Sequence, residues 1–81
     1  MRDDSIFDSD PILSRLDPQT IQQRLGTLIR AYLHTRSRII ARVVVRHIDG
    51  LCCHPGFHAS PEERCVYRRL SREWRVLAEL A

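Results

Sequence analysis

The amino-acid sequence predicts an all-α protein, a long helix joined by a loop to a shorter helix, and three observations carry that prediction. From Pro18 to about residue 50 the chain has no proline and only one interior glycine, Gly26. Over that stretch apolar residues recur at spacings of three and four, the signature of an amphipathic helix. Ser60-Pro61-Glu62-Glu63 then reads as a capping box that opens a second helix, with serine as N-cap and proline at the first helical position.

The elements follow in order. Residues 1–17 form an acidic leader, in which Asp10-Pro11 marks the start of a short helix through Ile12, Leu13 and Leu16. Asp17-Pro18 repeats that signal where the periodic run begins, and the residue before a proline avoids helical backbone, which places a break at Leu16 and Asp17. The helical domain spans 18–81: a long helix over about 18–50, a loop over 51–60 and a second helix over 61–80. The long helix carries Ile21, Leu25, Leu28, Ile29, Tyr32, Leu33, Ile39, Ile40, Val43, Val44, Ile48 and Leu51. The run Val43-Val44-Val45 favours a strand locally, but no second strand or hairpin turn exists to pair with it. His34-Thr35-Arg36-Ser37-Arg38 is the polar interval of this helix. With no glycine or proline to break it, the expectation is that the helix continues through. Gly50 and then Pro55-Gly56 end it. The second helix has an apolar stripe of Val66, Leu70, Trp74, Leu77 and Leu80 or Ala81.

Size then sets an architectural problem. A helix over 18–50 would be roughly 45–50 Å long, whereas a compact chain of 81 residues should have a radius of gyration near ~12 Å. A rod that overshoots its own globule needs another surface, and a second copy is the simplest. The expected assembly is a homodimer whose two hairpins form an antiparallel four-helix bundle. The alternative is a monomeric three-helix bundle, with the long helix broken at residues 34–38.

Composition narrows the functional classes. No run approaches the ~20 consecutive apolar residues of a membrane span, and the acidic N-terminus lacks the apolar region of a secretion signal. The three cysteines are an odd set, unlike a disulfide scaffold. A cytoplasmic protein with reduced thiols is expected. All 13 basic side chains are arginine, and the formal net charge is +3. Acidic residues dominate the leader and arginines the body, an imbalance that invites an anionic partner.

Two constellations carry candidate chemistry. On the second helix Arg64, Arg68, Arg72 and Arg75 form a cationic stripe at steps of four and three, and Arg38, Arg42 and Arg46 repeat it on the first. These seven are the candidate partner-binding residues. Guanidinium groups make bidentate, charge-assisted hydrogen bonds to carboxylates or phosphates. The leading expectation is a small non-enzymatic interaction protein, a regulator, adaptor or assembly factor, binding an acidic protein partner through those faces. Nucleic-acid binding is the alternative, with Tyr67 or Trp74 available to stack on a base. The bland reading of such a stripe is a solvated face, and the commonest reason for an all-arginine composition is a compositional bias.

The second constellation is the run His47, Cys52, Cys53, His54, His58 and Cys65, of which Cys53, His54, His58 and Cys65 are the best candidates for metal ligands. Thiolate and imidazole suit zinc, giving a third reading as a zinc- or redox-responsive protein. Against it, there is no paired C-x-x-C spacing, and adjacent Cys52 and Cys53 point ~100° apart on a helix. The bland reading makes the cysteines small buried hydrophobes and the histidines loop and cap residues. No cofactor and no enzymatic activity are expected: no carboxylate pair or phosphate loop is present, and the chain is short for enclosing a substrate pocket.

Overall fold

The computed structural model describes Leu13 and residues 15–80. The expected helix start at Asp10-Pro11 and the terminal Ala81 lie outside the described residues. Among them the secondary structure is entirely helical: α1 (Pro18–Thr35), α2 (Arg38–Cys52) and α3 (Pro61–Glu79).

The N-terminal caps are those written in the sequence. Asp17 Oδ1 accepts the Thr20 backbone N–H at 3.0 Å at the head of α1, with Pro18 at its first position. At the head of α3, Ser60 Oγ accepts the Glu63 N–H at 3.2 Å while Glu63 Oε1 accepts the Ser60 N–H at 2.9 Å. Both halves of the capping box are made, satisfying two otherwise orphaned donors.

The expected continuous helix over 18–50 is not formed. Arg36 adopts left-handed backbone, φ 54°, and its N–H closes α1 on the Tyr32 carbonyl. Ser37 then caps α2, its Oγ accepting the Ile40 N–H at 3.4 Å. The break needs no glycine because the next helix supplies its own N-cap one residue later. At its other end α2 runs two residues past Gly50 to Cys52, short of Pro55-Gly56, and Cys53 caps it through the Asp49 carbonyl. α3 ends at Glu79, one residue short of the expected 80.

Breaking the rod removes the architectural problem. An unbroken helix over α1 and α2 would be about 50 Å long, and the longest dimension is 34 Å, with a radius of gyration of 12.4 Å. The chain folds back on itself, α2 lying between α1 and α3 and packing on both. The broken-helix, three-helix arrangement is therefore the compatible architecture for one chain.

The main core joins all three helices through Leu25 and Tyr32 of α1, Ala41, Val44, Val45 and Ile48 of α2, and Trp74 and Ala78 of α3. Tyr32 and Trp74 meet edge to face at 5.0 Å, a favoured aromatic geometry. A smaller cluster of Leu13, Ile21 and Leu51 lies at the other end, with Phe57 and Tyr67 packed against it. Ile21, Val44, Ile48 and Leu51 are fully buried, each contributing roughly 1.5–3 kcal/mol of hydrophobic stabilisation. The triple valine is thus helical, with Val44 and Val45 buried and tertiary packing overriding strand propensity.

The buried face of α3 is rotated from the expected stripe. Ser71, Trp74 and Ala78 are buried, Leu70 and Leu77 are half-buried, and Val66 is exposed. Small side chains at 71 and 78 sit on the side that α2 covers, and the large aliphatic ones fall on its edge.

Candidate functional site

α2 and α3 run antiparallel, and the seam between them is where the arginines gather. One cleft, about 310 Å³, is lined by Arg42, Val45, Arg46, Asp49, Arg75, Ala78 and Glu79. The neighbouring cleft, about 480 Å³, is lined by Asp49, Cys52, Cys53, Arg68, Ser71 and Arg72. Asp49 lines both, so the two clefts adjoin along the seam and together make an arginine groove with Asp49 between them. Five of the seven arginines singled out from sequence, Arg42, Arg46, Arg68, Arg72 and Arg75, line it. The helical period explains the convergence: residues four apart share a helix face, and the antiparallel pairing sets the two faces side by side. Arg38 and Arg64 are exposed and are not among the residues lining these clefts, and Arg64 Nε donates to the Ala59 carbonyl at 3.4 Å.

The floor of the groove is a polar knot that sequence reasoning missed. Ser71 Oγ donates to Asp49 Oδ1 at 2.8 Å, and Arg75 Nη2 donates to Asp49 Oδ2 at 2.5 Å. Arg75 Nε reaches the Ser71 hydroxyl at 3.4 Å. Nothing in the sequence pairs residues this far apart. Asp49 there looks like a helix terminus and Ser71 like an interruption of an apolar stripe.

The histidine and cysteine cluster does not assemble. Among the described residues no group of three or more His, Cys, Asp or Glu side chains is placed to hold a metal ion. His54 has both ring nitrogens engaged: Nδ1 accepts the Gly56 N–H at 2.9 Å and Nε2 lies 2.6 Å from the Leu16 carbonyl. An acceptor at Nδ1 and a carbonyl at Nε2 fix the proton on Nε2. His54 is thereby a clasp between the loop and the residues before α1, and neither nitrogen is left to ligate a metal. His47 is buried in α2, its Nδ1 donating to the Val43 carbonyl at 2.9 Å. His58, Cys53 and Cys65 are exposed, and all three cysteines are free.

One thiol, that of Cys52, is also shifted electrostatically. Burial pushes the Cys52 thiol above its ordinary value, and the Asp49 carboxylate and neighbouring Cys53 push it the same way. A raised thiol is a poor nucleophile, since the thiolate is the reactive form.

The aromatic residues are also committed. Trp74 is in the core on Tyr32, while Tyr67 meets Phe57 edge to face at 5.5 Å and accepts from Gln22 at 3.3 Å through its hydroxyl. No helix among the described residues is long and apolar enough to cross a membrane. No family model, no curated protein and no solved structure matches the chain.

Proposed function

We propose that this is a small non-enzymatic interaction protein, cytoplasmic in location, that takes an acidic segment of a protein partner into the arginine-lined groove between α2 and α3. The observation that supports it is the convergence of Arg42, Arg46, Arg68, Arg72 and Arg75 on one groove from two helices. The groove already holds a carboxylate, that of Asp49, against Arg75. A carboxylate-bearing segment would meet the same chemistry at the flanking arginines, through charge-assisted hydrogen bonds.

Nucleic acid is the less favoured anion. Base stacking needs an accessible ring, and Trp74, Tyr32 and Tyr67 all have partners. The proposal includes self-association of two copies of the three-helix chain, prompted by exposed apolar residues such as Leu33, Ile39 and Val66.

The test is fluorescence anisotropy with two probes, a labelled oligo-glutamate peptide and a labelled single-stranded DNA, across a salt series. Binding of the peptide that is lost in the R68Q/R72Q/R75Q variant supports the proposal. Binding of DNA alone, with a steep fall in affinity as salt rises, would move the assignment to nucleic acid. Equal peptide binding by the wild type and the variant would end the proposal.

A further inference from the structure

The chain enters its described fold at the edge of the arginine groove. Leu13, the first described residue, is buried against Gly50 of α2: a Cβ built on that glycine would stand 2.9 Å from Leu13 Cδ1 and 3.4 Å from its Cβ. Only a residue without a side chain lets Leu13 cross α2 this closely. Residues three and four apart are neighbours on a helix surface, so Gly50 adjoins Arg46 and Cys53, and both line the groove. His54 fixes the same stretch from the loop, its Nε2 donating to the Leu16 carbonyl at 2.6 Å. What precedes Leu13 in the sequence is acidic. Residues 1–12 carry Asp3, Asp4, Asp8 and Asp10 against Arg2, with Ile6 and Phe7 between the two pairs of aspartates. The groove complements them. Beyond the Asp49–Arg75 pair its lining carries Arg42, Arg46, Arg68 and Arg72 against Glu79, with apolar Val45 and Ala78 beside them.

We infer that residues 1–12 occupy the arginine groove of their own chain, as an internal acidic ligand that an acidic partner must displace. The inference rests on the proposed reading of the groove as a site for acidic segments, and adds its regulation. Chain length permits it. From Arg42 to Cys53 the groove follows α2 for about 16 Å, whereas twelve extended residues reach about 40 Å. Asp10 lies within about 11 Å of Leu13 along the chain, close enough to meet the groove at its Gly50 edge. Tethering favours this occupant over the same segment of a second copy. A short tether holds its ligand at an effective concentration on the order of millimolar, which chains in dilute solution do not reach. Exposed carboxylate–guanidinium pairs are individually weak and are screened by salt. The contact is therefore reversible, and a longer or more acidic segment wins the groove.

Two measurements on the full chain test it. Arg72→Lys keeps the positive charge at an exposed groove position and adds the one side-chain amine in a chain without lysine. A water-soluble carbodiimide then joins that amine to any carboxylate it touches, and peptide mass spectrometry locates the link. Coupling to Asp3, Asp4, Asp8 or Asp10 within a single chain is expected. In the second measurement the labelled oligo-glutamate peptide is titrated into the wild type and into D3N/D4N/D8N/D10N. Removing a competitor held at an effective concentration on the order of millimolar should tighten peptide binding about fivefold or more. The coupling separates occupancy of the groove from a mere change in net charge. Coupling confined to carboxylates within residues 17–80, or formed only between two chains, overturns the inference. So do equal peptide affinities of the wild type and the aspartate variant. Where neither protein binds the peptide, the reading of the groove as a partner site fails, and the coupling result alone decides whether the leader occupies it.

Discussion

The Ser71 hydroxyl, buried on α3, donates to Asp49 on α2 at 2.8 Å, tying the two helices together beneath the arginine groove. The other Asp49 oxygen faces Arg75, whose side chain is 56% exposed. These partners are unequal because a buried hydroxyl cannot turn to water whereas an exposed guanidinium can. Replacing Asp49 by Ala strands the Ser71 donor and should cost about 1–3 kcal/mol. Ser71→Ala removes one hydrogen bond, about 1 kcal/mol. Arg75→Gln loses only a solvent-screened ion pair and should cost under ~1 kcal/mol. Urea denaturation of the three variants checks the order. If Arg75→Gln is the most damaging, the knot is held by charge and not by the buried hydroxyl.

The junction of α1 and α2 makes a prediction whose sign depends on the break. Arg36 sits in left-handed backbone, which costs a non-glycine residue roughly 1 kcal/mol. Arg36→Gly should therefore stabilise the protein, less about 0.5 kcal/mol for the lost contact with the Tyr32 ring. Ser37→Ala should destabilise by about 1 kcal/mol through loss of the α2 cap. In an unbroken helix both signs would reverse, because glycine is poor and alanine good in a helix interior. Thermal melts of the two variants discriminate the cases.

What the sequence made visible was what lies within a few residues. The capping box at Ser60-Pro61-Glu62-Glu63 and the Asp17-Pro18 start both formed as read, because their donors and acceptors are local. The break at Arg36 was hidden since the left-handed residue is an arginine, although Ser37 is a good N-cap that the polar interval contained. The buried face of α3 was misplaced because Ser71 and Ala78 are chosen for size where α2 approaches, a signal that hydrophobic spacing does not carry. The arginine stripes were legible at helical spacing. Their meeting along one seam was not, because it depends on which faces α2 and α3 turn to each other.

Two glycines on helices should respond to the same substitution in opposite directions. At Gly26 an added Cβ meets only the Arg30 guanidinium, at 3.7 Å, an ordinary contact. Gly26→Ala should gain the full backbone benefit, about 0.5–1 kcal/mol. At Gly50 the added Cβ would stand 2.9 Å from Cδ1 and 3.4 Å from Cβ of the buried Leu13, so turning the side-chain tip alone does not relieve the contact. Gly50→Ala should gain nothing or lose stability, since overpacking a buried contact costs about 1–3 kcal/mol. A melting temperature raised equally by both would show that Leu13 is not held against α2.

Acidification should loosen the start of α1 through Asp17. Its carboxylate accepts the Thr20 N–H, and hydrogen bonds to Thr20 hold it below its ordinary value of 3.8. A carboxylate depressed on folding stabilises the native state at pH values above its unfolded value. That contribution is lost as pH falls through the lower, folded value. Protonation leaves the neutral acid a weaker acceptor and also removes the negative charge favoured at a helix N-terminus. Asn caps helices as well as Asp but does not titrate. Asp17→Asn should therefore keep most of the stability at neutral pH and show a shallower loss of melting temperature below about pH 4, the ordinary carboxylate range. Asp17→Ala should lower the melting temperature at neutral pH through loss of the cap and share the shallower acid slope. Parallel acid profiles for the wild type and Asp17→Asn would mean that the cap carries no charge-dependent stability, and that other carboxylates govern acid unfolding.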